Sequence, residues 1–529
     1  MQKPPIAEGL RPALVCLTCL LASGVLQAHA ADPAEPRFDI RRYAVAGNSV
    51  LPAAEVEALL AAYAGSGRQL DDIESARQAL TGLYARHGYT TVLVELPEQD
   101  ISDGTVRLQV RELQVGQVRV LAARHHGDGN VRHSLPGLVE GQVPNTIELA
   151  ESLRLANENP SKRTQFLFKP TDDAARIDAL LRIEDESPVK TYVTLDDSGT
   201  AATGRSRLGI GYQHANLFDR DHVLTLQAIG SPEKADAVAI LGAGYRLPLY
   251  RSADSLDFYA GYSDVSSGSL PGVANVSGKG AILGGHYTYN LAKTSAFEHR
   301  LTAGLDYRAY QNDIDSNGTQ LGHDVTVHPV VLGYAGQWQG RTAEAGWSVS
   351  YSHNLPGGAK GTDSDFQAAR TGADANYQIL RLNAHYSQSF AKDWQVRLGL
   401  DAQYTDQPLV SGEQFGLGGR DSVRGFGERA VNFDRGLRLG VEVFTPDYGG
   451  SLPIDGANLR LSAFLEGGRG LDAAPVMNPA ETIGSAGLGL RLGWQKALSL
   501  RIDYGRVING DGERDQGDGR FHASLAYTF

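Results

Sequence analysis

Hydrophobic and polar residues alternate along most of the chain, from residue 188 to the C-terminal Phe529. Alternation with a period of two is the pattern of a β-strand whose two faces meet different environments. Sixteen such segments occur in this region, from TYVTLDD at 191–197 to FHASLAYTF at 521–529. The 342 residues allow about 21 for each strand and its connection, and an even strand number is typical of antiparallel outer-membrane barrels. We therefore predict an all-β transmembrane barrel of 16 antiparallel strands at 188–529.

The connections between the predicted strands alternate in length. If the first strand rises from the periplasm, the lower turns are short and the upper loops are long. The short turns include 340–342, 391–393 and 495–497, and the long loops include 311–326, 356–377 and 405–435. Short periplasmic turns and long outer loops are typical of outer-membrane barrels, so the connections support the same architecture.

The alternation also separates two chemistries on single strands. In LRLSAFLEGG, one face holds Leu459, Leu461, Ala463 and Leu465, and the other holds Arg460, Ser462, Phe464 and Glu466. A lipid-facing surface excludes charged side chains, so we expect the second face to line the lumen. The same division places four more charged residues on lumen faces: Arg438, Glu442, Arg501 and Asp503.

The preceding region has apolar residues at helical spacing between short alternating segments. Residues 38–112 predict the order strand, helix, helix, strand, strand, with Val56, Leu59 and Leu60 on one face of the first helix. Residues 113–187 contain a weaker copy of this order. We therefore expect two α+β modules, at 38–112 and 113–187, before the barrel.

The first 30 residues have the features of a secretory signal peptide. Lys3 and Arg11 precede an apolar run at 12–26, and the small residues of AHA at 28–30 place cleavage after residue 30. The apolar run is too short to span a membrane comfortably. We expect an exported mature chain.

Composition excludes several classes of function. Both cysteines, Cys16 and Cys19, lie in the signal peptide, so we expect the mature chain to have no thiol for a disulfide, a nucleophile or a metal. A net charge of −12 argues against a general nucleic-acid surface. No phosphate-binding loop, HExxH or GxSxG pattern occurs, and the 14 histidines are scattered. We predict no enzyme activity, no catalytic residue, no cofactor and no metal site.

The stretch TDQPLVSGEQFGLGGRDSVRGFGERAVNFDR, at 405–435, is much longer than a hairpin loop requires. Loops of this length inside a compact architecture are usually functional or disordered. Closely spaced glycines alternate here with the aromatic residues Phe415, Phe426 and Phe433. This composition favours an ordered segment that is packed in a confined space.

Several stretches resemble one protein family. Residues 88–110, GYTTVLVELPEQDISDGTVRLQV, and 157–170, NENPSKRTQFLFKP, resemble the polypeptide-transport-associated (POTRA) domains of two-partner secretion transporters of the haemolysin secretion/activation type. VRGF at 423–426 is similar to the signature of the sixth outer loop in such barrels, between strands eleven and twelve, where our strand count also places it. FLEGG at 464–468 is similar to the family's wall motif F-x-[D/E]-x-G on strand thirteen, with Glu for the more usual Asp.

The resemblance implies roles for individual residues. The loop motif consists of Val423, Arg424, Gly425 and Phe426, the wall motif of Phe464, Glu466 and Gly468, and the C-terminal assembly signal of Phe529. We expect the loop to fold back into the lumen, where Arg424 would pair with Glu466. Gly425 would permit a backbone shape that other residues resist, and Phe426 would pack on the inner wall.

The resemblance also implies a function. The expected protein lies in the outer membrane of a Gram-negative bacterium, with two POTRA domains in the periplasm. These domains would recognise a TpsA-like secreted exoprotein partner, which would pass unfolded through the barrel. Its other partners would be the barrel-assembly machinery and outer-membrane lipid. Only seven residues separate the predicted cleavage site from Phe38, which leaves no room for the plug helix of some relatives. Any gate is then expected in the long loops.

Two alternatives stay open. A membrane-protein insertase of the same superfamily would share the fold, but such factors usually have more POTRA domains and open between the first and last strands. A passive porin would explain the barrel, but neither the α+β modules nor the two motifs.

Overall fold

The computed structural model describes residues 36–529, except 202, 265–267, 271–273, 277–278, 295, 312–314, 317–318, 321–322 and 474–479. The predicted signal peptide at 1–30 lies outside the described residues. The chain divides into two compact units, of which the first contains residues up to 83 together with 94–111, and the second contains 84–93 and 112–529.

Residues 38–112 form an α/β module with the predicted order of elements, except that one more short strand, Gly65–Arg68, lies between the two helices. Its strands are Phe38–Ile40, Arg42–Ala46, Gly65–Arg68, Val92–Glu95 and Thr105–Glu112, and its helices are Ala53–Ala61 and Leu70–Arg86. Arg42–Ala46 runs parallel to Thr105–Glu112 in a three-stranded sheet. Ile40, Ile73 and Val106 form a buried core between helix and strands, because each lies on the apolar face of its element.

The second unit begins with another α/β module. Its strands are Gln114–Leu121, Lys162–Pro170 and Arg176–Asp185, and its helices are Asp128–His133 and Thr146–Ala156. The last strand lies between the other two, parallel to the first and antiparallel to the second. Asn145 begins the longer helix by accepting hydrogen bonds from the backbone N–H groups of Ile147 and Glu148. In both modules, the strand that comes last in the sequence lies at the centre of the three-stranded sheet. The two sheets therefore have the same strand order.

The remainder of the second unit is a closed barrel of sixteen antiparallel strands, which confirms the predicted fold class. The strands, labelled β1 to β16, are Val189–Asp196 (β1), Arg207–Leu217 (β2), His222–Gly230 (β3), Ala239–Leu249 (β4), Asp254–Asp264 (β5), Lys279–Asn290 (β6), Phe297–Gln311 (β7), Val325–Val327 with Pro329–Gln339 (β8), Ala343–Asn354 (β9), Gln378–Ser389 (β10), Gln395–Tyr404 (β11), Arg435–Phe444 (β12), Ala457–Leu471 (β13), Glu481–Trp494 (β14), Leu498–Asn509 (β15) and Gly519–Thr528 (β16). All sixteen predicted segments correspond to these strands. β8 is broken at His328, just before Pro329, which has no backbone N–H to donate to a neighbouring strand.

The two faces of the strands differ as the alternation predicted. On β13, Leu461 and Leu465 are 45% and 53% exposed on the outer surface, whereas Ser462, Phe464 and Glu466 are buried on the inner side. Apolar residues therefore face the lipid, and polar residues line the lumen.

Aromatic residues near the periplasmic end of the barrel form part of a girdle. The rings of Phe297 on β7 and Trp347 on β9 stack with centroids 5.5 Å apart. His299 on β7 contacts the hydroxyl group of Tyr334 on β8 at 3.2 Å. Such girdles lie at the membrane interfaces of outer-membrane barrels.

The connections contain short additional elements. These are the helix Asp363–Ala369, the 3₁₀ turns Ala391–Asp393, Ser411–Glu413 and Gly449–Ser451, and the paired strands Gly268–Leu270 with Ala274–Val276, Asp315–Ser316 with Thr319–Gln320, and Phe415–Leu417 with Val431–Phe433. Within the described part of the chain, no helix combines the length and the apolar character that a membrane span requires.

Candidate functional site

The loop predicted at 405–435 connects β11 to β12 and folds into the lumen. Phe415–Leu417 pairs antiparallel with Val431–Phe433, so the loop has a short two-stranded stem. Its tip, residues 419–427, contacts lumen-facing side chains of β12, β13, β15 and β16. The loop therefore lies inside the barrel and contacts its inner wall.

Arg424 lies at the tip of the loop and is only 2% exposed. Its Nε and Nη2 donate to the two carboxylate oxygens of Glu466 on β13, at 3.1 and 2.8 Å, and its backbone N–H donates to Glu466 Oε2 at 2.9 Å. Nη1 and Nη2 also donate to the carboxylate of Glu442 on β12, at 3.2 and 3.1 Å. Nη1 donates further to Asp503 on β15 at 2.9 Å. All five guanidinium N–H donors thus have carboxylate acceptors.

The ring of Phe464 completes the pocket around this arginine. The Arg424 guanidinium carbon lies 3.4 Å from the ring centroid, the geometry of a cation–π contact. The structure therefore brings together Arg424, Phe464 and Glu466 of the two sequence motifs. A lysine, with three donors and no planar group, could not satisfy the same acceptors.

Two arginines of the barrel wall also bind the carboxylates that surround Arg424. Arg438 contacts Glu466 at 3.2 Å, and Arg491 contacts both Glu442 and Asp503 at 2.8 Å. The alternation had placed Glu442 and Asp503 on lumen faces, but it did not identify them as partners of the loop.

One more interaction of the tip was absent from the sequence predictions. His522 on β16 is 1% exposed, and its Nε2 accepts a hydrogen bond from the backbone N–H of Gly425 at 3.1 Å. No motif marked His522 in the sequence. Another wall arginine, Arg501 on β15, donates to Asp503 at 2.6 Å.

Gly425 has a φ of +99°, a conformation that residues with a side chain rarely adopt. A Cβ atom at Gly425 would lie 3.2 Å from the backbone of Gly505 on β15. A Cβ atom at Gly505 would lie 2.6 Å from the backbone nitrogen of Gly425. The close approach of loop to wall therefore requires glycine at both positions.

The other motif residues form an apolar core around the loop tip. Val423 and Phe426 are completely buried, and they cluster with Leu417, Ile483 and Val507. On the wall, a Cβ atom at Gly468 would lie 2.6 Å from a methyl group of Leu417. Gly468 therefore leaves the space into which the stem of the loop packs.

Phe529, the predicted assembly signal, lies directly after β16. Its side chain is 71% exposed, and its ring contacts that of Tyr527 with centroids 4.8 Å apart. The backbone N–H of Phe529 donates to the carbonyl oxygen of Thr191 on β1 at 2.8 Å. The C-terminal residue thus continues the seam that closes the barrel.

The lumen below the tip of the loop contains open space. One cavity of about 460 Å³ is lined by Arg154 and Glu158 of the second α/β module and by barrel residues that include His385 and Arg438. A second cavity of about 380 Å³ shares His385 and Arg438 and reaches Glu442 and Glu466. An open region therefore extends from the α/β module to the site that holds Arg424.

A buried polar cluster joins the second α/β module to the periplasmic turns of the barrel. The ammonium group of Lys162 contacts the carboxylate of Asp221, in the turn after β2, and donates to Asn130 Oδ1 at 2.9 Å. Tyr250, in the turn after β4, donates to Asp221 Oδ2 at 2.5 Å. The Lys162 and Asp221 side chains are 0% and 1% exposed. Burial lowers the pKa of Lys162, although Asp221 opposes this shift.

The segment NENPSK contributes further contacts to this junction. Asn159 Nδ2 donates to the carbonyl oxygen of Ala215 on β2 at 2.6 Å. Ser161 lies 3.3 Å from His126 Nε2, and His126 Nδ1 lies 3.1 Å from Asp185. This sequence segment therefore connects the module to the barrel.

No group of three or more His, Cys, Asp or Glu side chains in the described ranges has an arrangement that could hold a metal ion. The chemistry of the site is ion pairing between a loop and a wall.

The fold and the site define a class of protein, an outer-membrane barrel that encloses one of its own loops and follows α/β modules. A family model defines the class further, because residues 178–492, more than half of the chain, match the haemolysin secretion/activation protein ShlB/FhaC/HecB. The chain is therefore a member of this family of two-partner secretion transporters. Residues 38–112 match the POTRA domain of ShlB type. In this family the barrel lies in the outer membrane and the N-terminal POTRA region in the periplasm.

Two curated relatives match across most of their lengths. The heme/hemopexin transporter protein HuxB of Haemophilus influenzae is 22% identical over 490 residues, which cover 86% of this chain and 81% of that protein. The outer membrane transporter CdiB of Dickeya dadantii is 26% identical over 497 residues, which cover 90% and 83%.

Solved structures show the same fold at lower identity. CdiB from Escherichia coli superposes with a TM-score of 0.74 at 20% identity, covering 96% of this chain and 93% of that one. BamA from Haemophilus ducreyi, lacking POTRA domains 1–3, superposes with a TM-score of 0.51 at 14% identity, covering 93% and 100%.

Proposed function

We propose that this chain transports one partner exoprotein from the periplasm to the cell surface, and that its cargo crosses the barrel unfolded. The observation that carries the proposal is the loop latched inside the lumen by Arg424, in a chain that belongs to a transporter family. The latch fills part of the lumen that cargo would use. Transport then requires the loop to move.

Recognition of the partner is assigned to two POTRA domains, at 38–112 and 113–187. The second assignment rests on the shared sheet order of the two modules. Lys162–Pro170 lies at an edge of the second sheet, with Leu167 65% exposed. An extended segment of the exoprotein could add to such an edge, with backbone hydrogen bonds supplying affinity and side-chain pockets supplying specificity.

The cavities suggest the route of entry. The space lined by Arg154, Glu158 and Arg438 lies between the second module and the latch. Its charges have both signs, which suits a polypeptide of mixed sequence better than a single small ion. Cargo would enter there and meet the loop next.

Biogenesis of the barrel would involve the barrel-assembly machinery and outer-membrane lipid. The proposed recognition signal is Phe529, whose exposed ring follows the last alternating strand. Leu461, Leu465 and the girdle residues Phe297 and Trp347 would contact lipid.

The decisive experiment is deletion of the gene, followed by fractionation of the periplasm, outer membrane and medium. We expect one large exoprotein to accumulate in the periplasm, while other outer-membrane barrels keep their normal abundance. The reading frame beside the gene is the first candidate for this exoprotein. Loss of many barrels at once would refute the proposal.

That same loss would support a second candidate function, insertion of barrels into the membrane. One observation favours it, because the seam between β16 and β1 is short. These strands pair through only five residue positions, from Ser524 to Thr528, whereas β13 and β14 pair through fourteen. A short seam is easier to open laterally. The family match favours secretion instead.

A further inference from the structure

The loop at 405–435 is also held at a second place, near its beginning. Glu413 has a side chain that is 1% exposed, and its carboxylate accepts hydrogen bonds from Arg308 Nη1 and the Tyr310 hydroxyl group, both at 2.7 Å. It accepts another from Arg381 Nη2 at 3.1 Å. Arg308 and Tyr310 lie on β7, and Arg381 lies on β10. Glu413 thus binds a part of the wall distinct from the one that holds Arg424.

The end of the loop is fixed beside its beginning. Gln403 on β11 donates from Nε2 to the carbonyl oxygens of Glu413 and Asp434, at 3.0 and 2.9 Å. The buried Asp434 carboxylate accepts from the backbone N–H of Leu409 at 3.0 Å and contacts Arg370, which precedes β10. We call residues 409–414 and 434 the base of the loop. Both limbs of the loop are therefore bound to each other and to the wall at the base.

Detachment of the tip and detachment of the base would leave different charges on the barrel wall. Each of the three carboxylates that bind Arg424 also forms an ion pair with an arginine of the wall, and these pairs would remain if Arg424 left. The pairs are Glu466 with Arg438 at 3.2 Å, Glu442 with Arg491 at 2.8 Å, and Asp503 with Arg501 at 2.6 Å. These three carboxylates therefore remain paired. Breaking a buried ion pair is most unfavourable when it leaves a charge uncompensated, and the wall avoids that result at the tip.

Release of the base would leave Arg381, whose side chain is 28% exposed, without a carboxylate partner. Within the described residues, Glu413 is the only carboxylate in a salt bridge with Arg381. Arg308 would keep Asp306 at 2.7 Å, but Arg381 would keep only the amide oxygen of Gln403. The base is therefore the more strongly retained end of the loop.

We propose that Glu413 is a positioning residue that makes the loop a hinged arm: the tip releases Arg424 from the wall, while the base stays bound to β7 and β10. The stem of Phe415–Leu417 and Val431–Phe433 links the two ends and transmits the movement as one piece. This inference rests on the proposed transport function, for which the loop must move. It goes beyond that function by locating the fixed end and the free end.

Hydrogen exchange of the purified full-length protein in detergent tests the proposal without any cargo. In Arg424→Ala, we expect backbone amides of 419–427 to exchange roughly tenfold faster or more, as loss of charge-assisted hydrogen bonds implies. Amides of the base, 409–414, should keep wild-type rates. Acceleration of both segments together, or of neither, would overturn the hinge.

A second variant tests the base. In Glu413→Gln, we expect amides of 409–414 to accelerate, whereas Glu428→Gln should leave them unchanged. Glu428 is a matched control, because its carboxylate accepts a hydrogen bond from the Arg420 backbone N–H within the loop. Arg381→Gln removes the same pair from the wall side and serves if Glu413→Gln does not assemble. Wild-type protection of the base in both variants would refute the anchor.

The outcome of the hydrogen-exchange experiments does not depend on the outcome of the export assay. If the gene deletion failed to trap an exoprotein, the transport proposal would fail while the exchange pattern stood. If export were confirmed but tip and base exchanged as one unit, only the hinge would fail.

Discussion

Arg424 and Glu466 are joined by three hydrogen bonds across the lumen, although 42 positions separate them in the chain. Two of these bonds come from the guanidinium group and one from the backbone, so Glu466 fixes both the side chain and the chain path of the loop tip. Glu442 and Asp503 share the same guanidinium group. The latch is therefore one cation held by three carboxylates.

This arrangement predicts a graded response to mutation. Arg424→Ala should strongly reduce export of the partner exoprotein while the barrel still assembles, because it removes every side-chain contact to the three carboxylates and leaves only the backbone hydrogen bond to Glu466. Glu466→Gln should have a smaller effect, since Arg424 keeps Glu442 and Asp503. Arg424→Lys should resemble Arg424→Ala, because an ammonium group has too few donors.

The measurement is the ratio of exported to periplasmic exoprotein in cells with equal amounts of heat-modifiable barrel. Glu428→Gln is a matched control, because Glu428 lies in the same loop but its carboxylate accepts a hydrogen bond from the Arg420 backbone N–H within that loop. Equal export by Arg424→Ala and wild type would contradict the latch.

The contact between Gly425 and Gly505 predicts a steric effect on the same latch. In Gly505→Ala, the new methyl group would lie 2.6 Å from a backbone nitrogen of the loop, and backbone atoms cannot move aside cheaply. We expect the tip to leave its site, and the conductance of the purified barrel in a planar bilayer to rise.

Gly244→Ala on β4 is the control, because a Cβ atom there meets no atom within 4 Å. It should conduct like the wild type. If Gly505→Ala also conducted like the wild type, the loop would not obstruct the lumen at this contact.

The barrel and the central ion pair were accessible from the sequence because their signals are local. Alternation within each segment identifies a strand and its lumen face, and two short motifs identified Arg424 and Glu466. Alternation does not give the height of a residue in the barrel, which depends on the stagger between neighbouring strands. Glu442 and Asp503 were therefore placed on the correct face without being placed beside Arg424.

The same limitation applied to contacts between distant segments. Nothing local indicated that His522 would accept a hydrogen bond from Gly425, because ninety-seven positions separate them. Lys162 lies in a stretch that was recognised by resemblance, but its contact with Asp221 depends on how the module meets the barrel turns. These pairs form when the barrel closes and the second module docks on the barrel turns. The local sequence preference of each segment does not predict them.

The buried pair of Lys162 and Asp221 predicts that the junction depends on matched charges. Lys162→Met should leave Asp221 without its cation, a change that typically costs about 3–5 kcal/mol for a buried pair. The double variant Lys162→Met/Asp221→Asn should cost less than the sum of its single variants, because it removes both charges.

The free energy of local opening can be measured from amide exchange in the helix Asp128–His133, which contains the buried partner Asn130. Lys169→Met is the control, since Lys169 lies exposed on the same strand as Lys162. Additive effects of the two single changes would mean that the pair is not coupled.

Asp185 predicts how the junction responds to acid. Burial alone would raise the pKa of this carboxyl group, but hydrogen bonds from the backbone N–H of His125 and the ring of His126 outweigh burial and hold the pKa below its ordinary 3.8. An acid with a lowered pKa in the folded state contributes stability above its unfolded pKa and loses it as the pH falls through the folded value. Protection of amides 124–127 should therefore be constant near neutral pH and decrease below about pH 4.

Asp185→Asn tests the cause of this acid response. Its amides at 124–127 should be less protected near neutral pH, and the additional loss below about pH 4 should disappear, because no carboxylate remains to be protonated. Asp173→Asn, at a carboxylate that is 57% exposed, should keep the wild-type profile. An unchanged acid response in Asp185→Asn would show that this carboxyl group does not cause the loss.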